Sequence, residues 1–276
     1  MTTGRACVLG PATLDRYPAT GEVVPGGPAL NVAWHWTQLG RAFDLISRIG
    51  DDGEPVIGWL HRHVIATTDA LRARGRTCSI DIDFGPDRQP IMTGFDPGVW
   101  DGFALTDHER ALMLEAVCTH AILTEAVIDE LLAGDGTGPH PALSADFLTA
   151  AHVDADRFER LTELLDVGFV GWPGDPSDGR IAEMEAVARS ADTVLVVTFG
   201  ARGVLVVPGR SGARRWFDVD AVEVAGTSVG CGDAFIAGFL DRWLDDRSDL
   251  AGAVGAGAAR GAAATAWHRA LPPDAY

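Results

Sequence analysis

Short apolar segments alternate with longer helical patterns along most of this 276-residue chain. The apolar segments predict β-strands at residues 5–10, 44–49, 120–123, 142–147, 167–170, 193–198 and 204–207. The intervening patterns predict helices at residues 29–39, 55–63, 156–165 and 181–189, and an alanine- and glycine-rich stretch at 250–268 predicts closely packed helices. Alternation of this kind is typical of an α/β fold in which helices flank a doubly wound, mostly parallel sheet. Ligands of such sheets bind at the carboxyl ends of the strands.

One segment departs from that pattern. Residues 77–84 alternate polar and apolar side chains, and residues 89–95 follow after the turn Gly85-Pro86-Asp87. The alternation predicts a β-hairpin with one polar face, which fits poorly in a buried parallel sheet. We therefore expect one domain over residues 1–276, with residues 77–95 inserted as a β-hairpin lid.

Charge and composition exclude several functions. The formal net charge is −17, and such an acidic chain repels the phosphates of nucleic acid. Every basic residue is arginine, so neither a P-loop lysine nor a Schiff-base lysine exists here. A phosphate-handling protein of this composition must rely on backbone amides, arginine and metal. No apolar run is long enough to predict a membrane span.

The cysteines indicate the compartment. Cys7, Cys78, Cys118 and Cys231 lie far apart and form no C-x-x-C pair, which argues against a zinc site and for a reducing environment. The first 14 residues lack the pattern of a signal peptide. We therefore expect a cytoplasmic protein.

The segment Gly230-Cys231-Gly232-Asp233 is the most informative local motif. A glycine turn that opens a helix presents unpaired N–H groups and positive dipole potential, which together make an anion hole. A carboxylate beside a bound phosphate is repelled unless it acts chemically, and the obvious act is to take a proton from an attacking hydroxyl. Alternatively, Asp233 is an ordinary helix N-cap. The segment by itself leaves both interpretations open.

Three other candidate ligand-binding positions lie next to predicted strands or helices. Gly26-Gly27 opens a helix, and Asn31 one turn inside can hydrogen-bond a ligand hydroxyl. Asp15 lies just past the first strand, where a carboxylate can accept two bonds from a diol, and Glu125 follows a later strand. Alternatively, the diglycine and Asn31 only start a helix, Asp15 is an ordinary loop residue, and Glu125 only begins the next helix.

A fourth motif, Thr198-Phe199-Gly200-Ala201-Arg202-Gly203, separates two predicted strands. Its glycines let the chain bend flat beneath a planar or phosphorylated ligand. The alternative is a plain hairpin turn.

Together these motifs resemble those of the ribokinase-like carbohydrate kinases (the PfkB family). G-G-P-A-L-N-V-A from Gly26, followed by Gly40 and Gly50, matches the first signature of that family. Its second signature, D-T-x-G-A-G-D-x-F-x-x-G, corresponds to T-S-V-G-C-G-D-A-F-I-A-G from Thr227 to Gly238. The short length and the A-W-H-R-A near the end are most similar to the compact branch that includes fructoselysine kinase.

The resemblance implies the catalytic roles. Asp233 would be the general base, and Gly230, Cys231 and Gly232 would form the anion hole. ATP and Mg²⁺ would be the cofactors.

The resemblance also implies the binding residues. The sugar would be held by Asp15, Gly27, Asn31 and Glu125. The nucleotide would lie along Thr198, Gly200 and Gly203, with Ala258 under the adenine. The hairpin would be the lid, which in this family often also forms a dimer contact, so the resemblance allows a homodimer.

Two departures from the family pattern concern metals. Thr227 stands where the second signature begins with Asp. The N-x-x-E motif of the family appears only as Gly171-Trp172-Pro173-Gly174-Asp175, in which Asp175 replaces the Glu as a candidate metal residue and no Asn precedes it. Because a neutral hydroxyl attracts K⁺ less than a carboxylate does, we expect only weak dependence on a monovalent cation.

The sequence therefore predicts an ATP-dependent phosphotransferase that moves the γ-phosphate to a hydroxymethyl group of a sugar or sugar derivative. One alternative is a nucleoside kinase of the same fold. Another is a sugar- or nucleotide-binding regulatory protein whose catalysis is weakened. A dinucleotide dehydrogenase is disfavoured, because no G-x-G-x-x-G follows the first strand.

Overall fold

In the computed structural model of the protein, helices cover both faces of a large sheet, and a smaller sheet stands apart from it. The structure describes residues 4–85, 88–134, 141–149, 154–210 and 212–276. Pro86 and Asp87 of the predicted turn therefore lie outside the described residues. No helix in the described ranges has the length and apolar character needed to cross a membrane.

The large sheet contains most of the predicted strands. Its members are β1 (Ala6–Leu9), β4 (Phe43–Ile46), β7 (Cys118–Ile122), β8 (Ala142–Thr149), β9 (Val167–Gly171), β10 (Val194–Thr198), β11 (Val204–Pro208) and β12 (Arg215–Phe217). Their order across the sheet is β12-β11-β10-β9-β8-β7-β1-β4. The pairs from β4 to β10 are parallel, and β11 and β12 join antiparallel. The predicted mostly parallel α/β sheet is confirmed.

The helices pack in two layers. They are α1 (Pro28–Leu39), α2 (Glu54–Arg62), α3 (Asp107–Glu115), α4 (Glu125–Ala133), α5 (Ala155–Thr162), α6 (Gly179–Ala191), α7 (Cys231–Asp245) and α8 (Leu250–Ala264). Side chains of α1, α2, α7 and α8 belong to one core, and those of α4, α5 and α6 to another. Strand β1 shows the division, since Val8 faces the first core and Leu9 the second. This alternation follows from the period of two along a strand.

The alanine- and glycine-rich stretch forms one long helix, α8, and not the several helices that its sequence predicts. Its small residues allow close packing on α7. A Cβ at Gly238 would lie 2.7 Å from the carbonyl oxygen of Ala256, and one at Gly257 would lie 2.8 Å from that of Phe235. Larger residues at either glycine would force the two helices apart.

The smaller sheet contains the predicted hairpin and two strands that the sequence pattern did not indicate. Its members are β2 (Thr13–Tyr17), β3 (Glu22–Gly26), β5 (Ser79–Phe84) and β6 (Pro90–Asp96), in the order β3-β2-β5-β6. The hairpin β5–β6 is thus half of a four-stranded sheet, because β5 pairs in parallel with β2. Asp15, expected just past a strand, lies inside β2. The charged residues in T-L-D-R-Y hide that strand from a search for apolar runs.

The smaller sheet packs by one face against the region that precedes α7. Tyr17 of β2 and Ile82 of β5 cluster with Val229 and Ala270. Since Val229 lies four residues before Asp233, this contact places the sheet beside the start of α7.

Candidate active site

Helix α7 begins in the glycine turn. Gly230 is its N-cap and adopts φ 77° and ψ −4°, in the left-handed region. A Cβ at this position would also lie 2.7 Å from the carbonyl oxygen of Ala270, so backbone conformation and space both require glycine. Asp233 lies in the first turn and makes no capping hydrogen bond, so the N-cap interpretation is wrong.

The carboxylate of Asp233 instead faces helix α1. Asn31 donates a hydrogen bond from Nδ2 to Oδ2 of Asp233 over 2.7 Å, although the two residues are 202 positions apart. Asn31 is buried, and its Oδ1 has no hydrogen-bond partner among the described residues. Asn31 thus fixes the carboxylate of Asp233 and has an acceptor left for a ligand.

Asp15 lies in a pocket made by the diglycine before α1. Its buried carboxylate accepts hydrogen bonds from the hydroxyl of Thr13 and the backbone N–H of Gly27. A Cβ at Gly26 would lie 2.0 Å from Oδ2 of Asp15, and one at Gly27 would lie 2.9 Å from the side chain of Thr13. The two glycines are therefore needed to admit the carboxylate.

The pKa values of Asp15 and Asp233 lie above the ordinary range of an aspartate. Burial raises the pKa of Asp15 to about 6, against the opposing effect of its hydrogen bonds. Burial also raises the pKa of Asp233 to about 6, the charge of Asp15 adds to that rise, and the Asn31 hydrogen bond opposes it. Both groups are poised to change protonation state near neutral pH.

A further acid, Asp146, belongs to this group and was missed by the sequence analysis. It lies near the carboxyl end of β8, is buried, and accepts a hydrogen bond from the backbone N–H of Leu148 over 2.8 Å. Burial and the charge of Asp233 raise the pKa of Asp146 to about 7. A lone acid in an otherwise apolar strand was the available signal.

Cys231 contributes no ionised thiol. Burial, followed by the charge of Asp233, raises the pKa of Cys231 to about 12. All four cysteines are free. Since only a thiolate is a good nucleophile, Cys231 offers this site a neutral side chain and its place in the turn.

Glu125 is not brought together with Asp15, Asn31 or Asp233 by any contact described in the structure. It is the first residue of α4, and its carboxylate forms an ion pair with Arg157 while its side chain remains 68% exposed. The predicted role in sugar binding stays a prediction.

The segment from Thr198 to Gly203 forms the turn of the β10–β11 hairpin. Thr198 ends β10, and Gly200 and Gly203 have φ values of 60° and 135°. A Cβ at Gly203 would lie 2.5 Å from the ring of Trp216. The turn thus requires its glycines because of their positive φ angles and the close approach of Trp216. Its role in nucleotide binding stays a prediction. The same holds for Ala258, which is half-buried in α8.

Asp175 is exposed and held by a local turn. Its Oδ1 accepts hydrogen bonds from the backbone N–H and the hydroxyl of Ser177, at 2.8 and 2.6 Å, and these bonds lower the pKa of Asp175. No cluster of three His, Cys, Asp or Glu side chains suited to a metal occurs within the described ranges. Mg²⁺ commonly uses one or two carboxylates together with substrate phosphates, so an exposed, ionised Asp175 fits such a site.

Known proteins resemble the chain in sequence and in fold, although no family model matches it. A fructoselysine 6-kinase of Escherichia coli (strain K12) is 28% identical over 242 residues, which cover 85% of this chain and 87% of that protein. A fructokinase of Klebsiella pneumoniae is 27% identical over 265 residues, covering 86% of this chain and 83% of that protein. The structure of Arabidopsis thaliana ribokinase complexed with ribose and ATP superposes with a TM-score of 0.81 at 14% identity, covering 98% of this chain and 96% of that one. The chain is thus similar in sequence to two carbohydrate kinases and similar in fold to a ribokinase.

These relatives confirm the predicted resemblance and, at the level of the enzyme class, the predicted carbohydrate kinase. The superposition shows that the chain shares the fold of that ribokinase.

The tip of the β5–β6 hairpin contacts the loop that leads into α7. Ser228 donates a hydrogen bond from Oγ to Oε1 of Gln89 over 2.9 Å, and the guanidinium of Arg88 donates to the backbone carbonyl of Ala225. The hairpin and the second signature therefore meet directly.

Proposed function

We propose that this protein is an ATP-dependent kinase that phosphorylates a hydroxymethyl group of a sugar or sugar derivative, with Asp233 as the general base. One observation carries the proposal: Asp233 lies in the opening turn of α7, held at 2.7 Å by Asn31 and within the electrostatic influence of Asp15. Its raised pKa favours proton uptake near neutral pH.

The groups around Asp233 have separate roles in the proposed reaction. Asp15, Gly27 and the free Oδ1 of Asn31 offer acceptors and space to the hydroxyls of a sugar, which orients the reacting oxygen toward Asp233. Asp233 takes the proton of that hydroxyl as the oxygen attacks the γ-phosphorus. The bond between the γ-phosphorus and the oxygen that bridges to the β-phosphate breaks, and ADP leaves. The opening amides of α7, from Gly230 to Gly232, stabilise the negative charge that develops on the transferred group.

The nucleotide and metal would lie at the adjoining strand ends. Thr198, Gly200, Gly203 and Ala258 would contact the nucleotide, and exposed Asp175 would help to hold Mg²⁺. When bound, Mg²⁺ would neutralise phosphate charge. Glu125 would turn from Arg157 toward the sugar, a role that the family resemblance supports.

The names of the two relatives narrow the choice of the sugar that accepts the phosphate. One is named for the 6-phosphorylation of fructoselysine and the other for fructose. We therefore place ketoses and ketose adducts first among candidate substrates. The hairpin would close over the sugar as a lid, and its outer face would allow a homodimer.

The test is ADP release with a panel of sugars, sugar amines and nucleosides, using the wild-type protein and Asp233→Asn. That substitution keeps the shape and removes the proton acceptor, so kcat should fall by about 10²–10⁴-fold with sugar affinity nearly intact. Asp175→Asn, outside the proton path, serves as the matched carboxylate control and should retain much more activity at saturating Mg²⁺.

Several outcomes would contradict the proposal. Turnover of nucleosides alone would favour a nucleoside kinase. Sugar binding without turnover by wild-type protein would favour a regulatory protein. Undiminished turnover by Asp233→Asn would exclude Asp233 as the base.

A further inference from the structure

Asp146 is an acid of the candidate site that the proposed reaction does not use. It lies on β8, where Ile122 of β7 and Phe169 of β9 are its partners in register. Side chains that are opposite one another on neighbouring strands point to the same face of a sheet. Ile122 and Phe169 both belong to the core under α1 and α7, and the ring of Phe169 packs edge-on against that of Phe239 of α7, with centroids 5.2 Å apart. The carboxyl group of Asp146 therefore faces α7, the helix that carries Asp233.

The backbone after Asp146 is irregular and holds one oxygen of its carboxyl group. The pairing of β8 with β9 shifts register between Asp146 and Thr149, and Leu148 within this stretch has φ 58°, a left-handed conformation that is strained for a bulky residue. The backbone N–H of Leu148 donates a hydrogen bond to Oδ1 of Asp146 over 2.8 Å. No hydrogen bond from the described residues reaches the other oxygen, Oδ2. That oxygen is left for a proton or a ligand.

A buried acceptor beside Asp233 indicates that a ligand enters this group of acids. Asn31 is 3% exposed, and its Nδ2 is bound to Asp233. Since both polar atoms belong to one amide group, Oδ1 of Asn31 also lies beside Asp233, and it has no partner among the described residues. Buried acceptors are normally satisfied, so we expect a bound molecule to donate to this one.

Burial makes it unfavourable for Asp146 and Asp233 to be ionised together. Two carboxylates that share a buried site repel each other, so one of them keeps its proton. The hydrogen bond from Asn31 stabilises the ionised form of Asp233, which is the form that the reaction needs. Burial and the charge of Asp233 raise the pKa of Asp146 to about 7, whereas that of Asp233 is about 6. Between these values, Asp146 is the acid that keeps its proton.

Other titratable groups near the two acids do not supply this proton. His120 lies on β7, on the same face of the sheet as Asp146, and burial lowers its pKa to about 3, so it is neutral. Burial and the charge of Asp233 raise the pKa of Cys231 to about 12, so its thiol does not titrate in this range. Asp15, whose pKa burial raises to about 6, acts through its charge on Asp233. The titration above pH 6 therefore belongs mainly to Asp146.

A protonated carboxyl group is a hydrogen-bond donor, and a phosphoryl oxygen is a suitable acceptor for it. The opening turn of α7 already presents N–H groups to an anion. An ionised carboxylate beside that turn would repel a phosphate, whereas a neutral one can donate to it. The negative charge of the phosphate then favours the protonated form further. The chain has no lysine that could take this role.

We propose that Asp146 is a further catalytic residue: protonated while Asp233 is ionised, it donates a hydrogen bond from its carboxyl group to the phosphoryl group that is transferred. The inference rests on the proposed kinase function. Asp233 accepts the proton of the sugar hydroxyl, and Asp146 keeps its own proton throughout. The hydrogen bond from Asp146 stabilises the charge that develops on the phosphoryl group, beside the opening amides of α7.

The dependence of kcat/KM on pH tests the inference in two variants. In the wild-type protein, activity should fall below about pH 6 as Asp233 gains a proton, and above about pH 7 as Asp146 loses one. Asp146→Asn keeps an N–H donor that cannot ionise, so the decline above pH 7 should disappear while the decline below pH 6 remains. Asp146→Leu has no donor and should lower kcat by about 10²–10³-fold between these values.

Asp166→Asn is the matched control, because Asp166 also accepts a hydrogen bond from a backbone N–H of β8, that of Leu143, over 3.0 Å. Leu143 lies at the amino end of the strand, and Asp166 pairs with Arg247, so this variant should keep the wild-type profile. Circular dichroism of each variant checks folding. If Asp146→Leu does not fold, the profile of Asp146→Asn decides.

Three results would overturn the inference. In the first, Asp146→Asn retains the wild-type decline above pH 7. In the second, Asp146→Asn and Asp146→Leu lose activity equally at every pH. In the third, Asp146→Asn needs a higher Mg²⁺ concentration for half-maximal activity, because Asp146 would then act in its ionised form as a metal ligand.

Proton uptake on nucleotide binding separates this inference from the proposed function. Calorimetry with a non-hydrolysable ATP analogue, at a pH just above the pKa of Asp146 and in buffers of different ionisation enthalpy, measures that uptake. Wild-type protein should take up more protons than Asp146→Asn, because the phosphate favours protonated Asp146. If this difference is found but no sugar is phosphorylated, the hydrogen bond from Asp146 to phosphate stands and the kinase proposal fails. If uptake is equal and a sugar is phosphorylated, the assignment of Asp146 is wrong and the sugar kinase remains.

Discussion

At the scale of single residues, the protonation states of the buried carboxylates depend on the few groups that surround them. Asp233 is stabilised in its ionised form by the 2.7 Å hydrogen bond from Asn31, whereas burial and the charge of Asp15 favour its protonated form. Asp146 adds a further buried acid whose pKa rises to about 7. The protonation state of Asp233 is therefore set by neighbours that lie far away in the sequence.

We predict that the activity depends on pH through Asp233. A general base acts only when ionised, so kcat/KM should fall as pH drops below about 6, the raised pKa of Asp233. Asn31→Leu removes the hydrogen bond that lowers this pKa, so the acid limb of the profile should move to higher pH. Profiles of kcat/KM measure both effects. Gln38→Leu, at an exposed amide of the same helix, is the control and should leave the limb in place, and an unmoved limb in Asn31→Leu would contradict the assignment.

Thr227 supports a prediction about monovalent cations. The side chain is buried, and its hydroxyl accepts a hydrogen bond from the backbone N–H of Val229 over 3.2 Å, so it serves the loop before α7. With no carboxylate at this position, we expect activity to respond weakly to K⁺. Assays in K⁺, Na⁺ and a bulky organic cation at equal ionic strength measure this. Strong, saturable activation by K⁺ would show that carbonyl oxygens suffice to bind the ion.

At the scale of elements, helix α3 shows how one side chain joins local and tertiary structure. Glu109 completes a capping box with Thr106 at the start of the helix. The same carboxylate makes two hydrogen bonds to the guanidinium of Arg48, at 2.7 and 2.8 Å, and is fully buried. Arg48 comes shortly after β4, so this pair ties α3 to the sheet.

We predict that Glu109→Gln destabilises the protein by about 3–5 kcal/mol, because it leaves the buried guanidinium of Arg48 unpaired. Hydrogen bonds from Arg48, Thr106 and Thr68 lower the pKa of Glu109 from 4.5 to about 2 in the folded protein, against the opposing effect of burial. The stabilisation is therefore present above pH 4.5 and is lost as pH falls toward about 2. Urea denaturation at several pH values measures this loss.

The exposed pair of Glu54 and Arg72 provides the control for that experiment. Glu54→Gln should change the free energy of unfolding by less than about 1 kcal/mol, since water solvates both partners. Equal losses in the two variants would mean that burial does not strengthen the pairing of Glu109.

At the scale of the whole molecule, the smaller sheet has two different faces. Its inner face carries Tyr17 and Ile82, which pack near the start of α7. Its outer face carries Val23 and Ile91, each about half exposed. An apolar surface on this sheet is compatible with a second subunit.

We predict a homodimer that forms through this outer face. Val23→Asp together with Ile91→Asp should yield a monomer, because burying two added charges in an apolar contact is unfavourable. Sedimentation velocity over a concentration series measures the assembly. Leu114→Asp, at an exposed leucine outside the smaller sheet, should leave it unchanged. A monomeric wild-type protein would contradict the prediction.

The sequence alone determined the α/β architecture, the glycine turn before Asp233 and the diglycine before Asn31. These features are local, since apolar runs, helix starts and glycine-dependent turns depend on residues adjacent in the chain. It did not reveal β2 and β3, because charged residues interrupt the apolar pattern of an exposed small sheet.

Only the tertiary structure decided which of these residues meet. It brought Asn31 to Asp233 across 202 positions, added Asp146 to the acids of the site, and paired Glu125 with Arg157. The physical reason is that the order of strands in a sheet, and hence which strand ends are neighbours, is set by packing of the whole core and not by the pattern within any one strand.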